Sequence, residues 1–139
     1  MLRLLTIPNS NNQKLKQAED LIKNCKLKEA LIFLDNLSNF EDLSTHEKLH
    51  FYFLKSSILQ DLFSPIEAMK YAELAYNLSK ELNSDNDIIS TLLLKGSIFG
   101  NMLKPNAVLD VINEAEAFDI AQPSPLNETS FTIPSSINK

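Results

Sequence analysis

Apolar residues between positions 49 and 82 recur at helical spacing on both sides of a single break. Leu49, Tyr52, Phe53, Leu59, Leu62 and Phe63 precede it, and Ala68, Met69, Ala72, Ala75 and Tyr76 follow it. The break, Ser64-Pro65-Ile66-Glu67, has the form of a helix start. Serine stands as N-cap, proline at the first helical position, and glutamate where it closes a capping box. The pattern predicts two antiparallel helices joined by almost nothing.

The same periodicity extends outward. Ser10-Asn11-Asn12-Gln13 has the form of a capping box and predicts a helix from about Asn11 to Asn24, carrying Leu15, Ala18, Leu21 and Ile22. A second helix over 27–38 places Leu27, Ala30, Leu31, Leu34 and Leu37 on one face, and 39–43 connects it onward. Ser44-Thr45-His46-Glu47 is another capping box and opens the central helix. After a polar turn over 83–87, a helix over 88–103 carries Leu92, Leu93, Leu94, Ile98, Phe99, Met102 and Leu103. Pro105 starts the last helix, with Val108, Leu109, Ile112, Ala115 and Phe118. Beyond Asp119 the periodicity stops, and Pro123, Pro125 and Pro134 stand among serines, threonines and asparagines. The expectation is a partly extended segment over 1–10, an all-α domain over 11–119, and a flexible tail over 120–139.

The helices pair, and the pairs repeat. A shift of 40 residues lays Leu54, Lys55, Ser57, Ile58, Pro65 and Ala75 on Leu94, Lys95, Ser97, Ile98, Pro105 and Ala115. A shift of 38 the other way lays Leu59, Glu67, Ala68 and Ala75 on Leu21, Glu29, Ala30 and Leu37. Three hairpins follow, over about 11–38, 44–82 and 87–119, which makes the predicted fold an α-solenoid of six helices. One hairpin cannot bury both sides of its apolar face, whereas stacked neighbours can.

These residues resemble the tetratricopeptide repeat family. That unit sets a small residue midway along its first helix, a large apolar residue three on, and a small, large, small series along its second. Ser56, Leu59, Ala68, Ala72 and Ala75 stand at those places in the second hairpin. Ala18, Leu21, Ala30, Leu34 and Leu37 stand there in the first, and Gly96, Phe99, Val108, Ile112 and Ala115 in the third. The family's first-helix tryptophan is replaced by Tyr52 and Leu92, and its glycine at the hairpin turn is missing. The resemblance covers residues 12–118. It implies a protein-interaction module whose first helices line a groove for a peptide or partner helix. The groove positions it implies are His50, Phe53, Leu54, Ser57, Gln60 and Asp61 in the second hairpin. In the third they are Leu93, Leu94, Ser97 and Asn101, with Ser90 beside them, and in the first Leu15, Lys16, Glu19 and Lys23. The lysine, asparagine and arginine with which some members grip a C-terminal carboxylate are replaced here by Leu15, Glu19 and Ser57, so an apolar peptide fits better.

Composition narrows the partner. The 139 residues carry a formal charge of −5 with a pI of about 5.0, and no basic stripe, so neither nucleic acid nor a membrane is expected as partner. The single cysteine, Cys25, excludes an internal disulfide and points to a reduced, cytoplasmic setting. Its place at the first hairpin's turn, without a histidine nearby, reads as packing rather than nucleophilic chemistry.

One stretch carries an enzymatic pattern. His46-Glu47-Lys48-Leu49-His50 matches H-E-x-x-H, which on a helix sets two imidazoles one turn apart and able to share a zinc ion. Against this, Glu47 is the capping partner of Ser44. Lys48 puts a cation within the motif, and Phe53 and Ser56 stand where an extended motif has glycine and a third histidine. The reading is therefore a helix start with two surface histidines, no cofactor and no catalysis; a metal-dependent hydrolase using His46 and His50 is the alternative from another class. A third alternative is self-association without a groove ligand, because the last helix has no seventh to cover it and solenoids need capped ends.

Overall fold

The computed structural model describes residues 12–37 and 40–121. Six helices stand among them: α1 Gln13–Lys23, α2 Leu27–Asp35, α3 Thr45–Asp61, α4 Pro65–Glu81, α5 Asp85–Asn101 and α6 Pro105–Ala121. A short 3-10 turn, Phe40–Asp42, leads from α2 into α3. Each helix packs on the next in the chain, and the first helices of the hairpins touch one another, α1 with α3 and α3 with α5. The result is the expected all-α solenoid of three antiparallel hairpins, and the described residues contain no strand. The segment over 1–10 lies outside the described residues, as does the tail from 122 onward; residues 120–121, expected in that tail, continue α6.

The helix starts follow their caps. Ser44 and Glu47 form the full capping box: the Glu47 N–H donates to Ser44 Oγ at 3.1 Å and the Ser44 N–H donates to Glu47 Oε1 at 2.9 Å. At α1 the cap is Asn12, whose Oδ1 accepts from the amides of Lys14 and Leu15, so the helix begins later than the Ser10 pattern suggests. At α5 the Ser84 hydroxyl caps Asp87, which draws the end of the polar turn into the helix.

The Ser64 box is a correction. Ser64 is the N-cap of α4 and Pro65 its first residue, but the serine side chain caps nothing. The Ser64 amide is already committed backwards, donating to the Leu59 carbonyl at 2.8 Å, so Glu67 has no free N–H to reach for.

That backward bond belongs to a device used four times. At the ends of α1, α3, α4 and α5 the chain closes with paired bonds: Lys26 to Leu21 and Cys25 to Ile22, Ser64 to Leu59 and Phe63 to Gln60, Ser84 to Ser79 and Asn83 to Lys80, Lys104 to Phe99 and Leu103 to Gly100. This Schellman geometry needs a left-handed residue, normally glycine. Here φ is 61° at Cys25, 64° at Phe63, 53° at Asn83 and 58° at Leu103. Asparagine tolerates that region, whereas each of the others carries a cost of about 1–2 kcal/mol from its Cβ. Cys25 is thus an exposed turn residue rather than a packing residue, because the left-handed turn points it outward.

Small residues bring the helices together. Ser56 is fully buried and its Oγ donates to the Ala68 carbonyl across the α3–α4 crossing at 2.7 Å. At the matching place in the third hairpin a Cβ on Gly96 would come within 3.3 Å of Val111 Cγ1. Ala18, Ala30, Ala68, Ala72 and Ala75 are fully buried at the other crossings. Leu15, Leu34, Phe53, Leu54, Ile58, Leu92 and Ile98 fill the space between, each stabilising by about 1.5–3 kcal/mol relative to exposure.

Candidate functional site

The close crossings bring the first helices of the second and third hairpins side by side, where Gln60 Nε2 donates to Ser97 Oγ at 2.6 Å. The groove implied by the resemblance falls on these two helices. His50, Phe53, Leu54, Ser57 and Leu94 are buried between helices. Gln60 and Asp61 are half-buried, and Leu93, Ser97 and Asn101 are exposed. The accessible part of that lining is therefore a polar strip with one exposed leucine. The buried Ser57 hydroxyl has no hydrogen-bond partner.

The two histidines are in different surroundings. His50 is fully buried, and its Nε2–H donates to Glu19 Oε2 of α1 at 2.9 Å. Burial lowers its pKa from the ordinary value, and the hydrogen bond and charge of Glu19 offset this only in part. It is a bridge between the first two hairpins, not the surface residue that the spacing suggested. His46 is partly exposed, with Nδ1 4.0 Å from Asp87 Oδ2. Glu47 closes the capping box rather than facing a metal. Among the described residues no group of three or more histidine, cysteine, aspartate or glutamate side chains is placed to hold a metal ion. A hollow of about 190 Å³, lined by Asn12, Gln13, Lys14, Leu37 and Leu43, is smaller than the ~300–1,000 Å³ of drug-sized ligand pockets.

A repeated strut joins successive hairpins and was not read from the sequence. Lys55 Nζ of α3 lies 2.6 Å from Asp35 of α2, and Lys95 Nζ of α5 lies 3.2 Å from Glu73 of α4. Burial works against the charge on Lys55, but hydrogen bonds to Asp35 and Tyr71 outweigh it and raise its pKa. Lys95 also lies 4.3 Å over the Tyr76 ring, whose hydroxyl donates to Glu114 of α6. Burial first, then that bond, pushes the Tyr76 pKa up to about 12. The signal was present: the 40-residue shift aligns the lysines, and the 38-residue shift aligns Asp35 with Glu73.

Two apolar surfaces remain. One is on α6, where Leu109 is 57% exposed and Ile112 40%. Their repeat counterparts in α4, Met69 and Ala72, pack into a cluster with Leu94 and Ile98 of the following hairpin. The other is at the hairpin turns, where Phe63 is 91% exposed, Ile66 77% and Leu103 86%. Among the described residues no helix is long and apolar enough to cross a membrane. No protein-family model, curated protein or solved structure matches the chain.

Proposed function

We propose that the chain is a non-catalytic interaction module that seats a partner helix on the exposed apolar face of α6, the last of the described helices. One observation carries this reading. Among the described residues each earlier second helix is covered by the hairpin that follows it, whereas Leu109 and Ile112 occupy the equivalent places and are exposed. The face also has a charge. Glu116, one turn on from Ile112, borders the apolar pair, and α6 contains neither lysine nor arginine. A basic amphipathic helix fits such a face, with apolar residues on Leu109 and Ile112 and cations on the rim. The implied groove contributes less, since most of its apolar lining is buried core. The lone Cys25 fits a reducing compartment, the cytoplasm.

Affinity capture with mass spectrometry tests this, using wild type, a Leu109→Asp/Ile112→Asp variant and a Leu93→Asp variant. The α6 variant is expected to lose a specific protein that the Leu93 variant retains. Loss from the Leu93 variant alone would move the site to the groove. Concentration-dependent mass of the wild type, abolished by the α6 substitutions, would mark self-association instead.

A further inference from the structure

The three hairpin turns lie at one end of the molecule. Leu59 at the end of α3, Ala68 at the start of α4, and Ile98 and Met102 at the end of α5 share one core cluster. Leu62 shares another with Leu21, Ile22 and Leu27 around the first turn. The turns of neighbouring hairpins are thus set side by side, on the order of 10 Å apart. From this end project Phe63, Ile66 and Leu103, the three most exposed large apolar side chains among the described residues. Phe63 and Leu103 occupy left-handed backbone positions where glycine would be relaxed. Backbone strain and apolar exposure both cost stability, and here they coincide at repeat-equivalent places.

Charge divides the molecule along the same axis. The turn segments 24–28, 62–66 and 102–106 contain Lys26, Lys28 and Lys104, and Lys23, Glu29, Asp61 and Glu67 stand one residue outside them. Opposite, among the described residues, lie the segments 40–47 and 81–87, with the start of α1 and its Lys14 beside Leu43. The two segments contain Glu41, Asp42, Glu47, Glu81, Asp85 and Asp87 and no lysine or arginine. In a chain of net charge −5 the turn end thus carries four lysines against three carboxylates among its apolar tips, whereas the segments 40–47 and 81–87 carry six carboxylates.

We infer that the hairpin-turn end docks onto an anionic lipid surface, with Phe63, Ile66 and Leu103 entering the headgroup–acyl boundary and Lys26, Lys28 and Lys104 lying against the headgroups. Separate protruding tips suit a soft interface, which closes around each side chain without a preformed pocket. Lysines near an anionic surface add attraction that salt weakens. The acidic end points away from the like-charged lipid, and the α6 face is not part of the docking end. This surface is therefore additional to the partner site proposed on α6. It also departs from the expectation, based on net charge, that membranes are not partners: the local charge of the docking end has the opposite sign.

Vesicle flotation of the full chain tests the inference, using phosphatidylcholine alone and phosphatidylcholine with phosphatidylserine. Wild type is expected to float with the anionic vesicles at least about tenfold better than with the neutral ones, and less as salt is raised. Phe63→Gly/Leu103→Gly is expected to bind the anionic vesicles about tenfold more weakly or worse. Glycine relaxes both turns, so the same variant should unfold at a higher denaturant concentration than wild type, and lost binding cannot be blamed on misfolding. Lys26→Gln/Lys104→Gln should reduce binding and its salt dependence. Equal flotation with both vesicle types, no flotation with either, or unchanged binding of the glycine variant would overturn the inference. So would lipid-free capture of a protein by wild type but not by the glycine variant, which would make the end a protein site.

Discussion

His50 is the fully buried imidazole of α3, and its partner Glu19 comes from α1, so a single hydrogen bond spans the first two hairpins. Burial holds the folded-state pKa below the ordinary 6.5. The unfolded chain therefore takes up a proton at this residue, as pH falls through about 6.5, before the folded chain does. Stability then declines with falling pH, at most by about 1.4 kcal/mol per pH unit for one proton, until the folded imidazole is protonated as well. Above that window the residue adds no pH dependence. Denaturation midpoints at pH 7.0 and 5.5 should therefore separate by more in wild type than in His50→Gln, which keeps a polar group near Glu19 without titrating in this range. Equal separations would show that the shift is not the source. The H-E-x-x-H spacing placed this residue on a helix but could not show that it faces Glu19, 31 residues earlier.

At the level of helices, the close crossings were legible because they need a residue type as well as a spacing. Ala18, Ser56 and Gly96 recur at one repeat position, and a large side chain there would push two backbones apart. Ser56→Leu should destabilise the fold by about 1–3 kcal/mol through overpacking, seen as a lower denaturant midpoint. A midpoint within error of wild type would mean that the α3–α4 crossing is looser than the 2.7 Å bond from Ser56 to Ala68 requires. Groove lining was less legible, for a geometric reason. Leu93 and Leu94 are the same residue type in adjacent positions, but one step along a helix turns a side chain by about 100°, leaving Leu93 exposed and Leu94 buried. Apolar character alone does not distinguish core from lining. The left-handed turns were hidden for a similar reason: glycine marks them by default, and Phe63 and Leu103 adopt them without that mark.

For the whole molecule, stability in a stack of hairpins is close to a sum of units and of interfaces between neighbours, so identical repeat positions are not energetically equivalent. Ala72 of α4 is fully buried in the cluster that includes Leu94 and Ile98, whereas its counterpart Ile112 on α6 is partly open to water. A glutamate at the two positions should therefore cost very different amounts. Ala72→Glu forces a charge between packed helices and should cost more than about 4 kcal/mol, enough to unfold a domain of ordinary stability. Ile112→Glu should cost no more than about 1 kcal/mol, because its charge can remain in water and the existing contacts are partial. Circular dichroism through a denaturant titration of both variants reads the difference directly. Comparable losses would show that the α6 face is covered in solution and would remove the basis for placing a partner helix there. A mild loss at Ile112 with a severe one at Ala72 would leave the apolar pair on α6 as an end built to be covered, held rigid by the Tyr76–Glu114 bond and by Lys95 on the neighbouring helix.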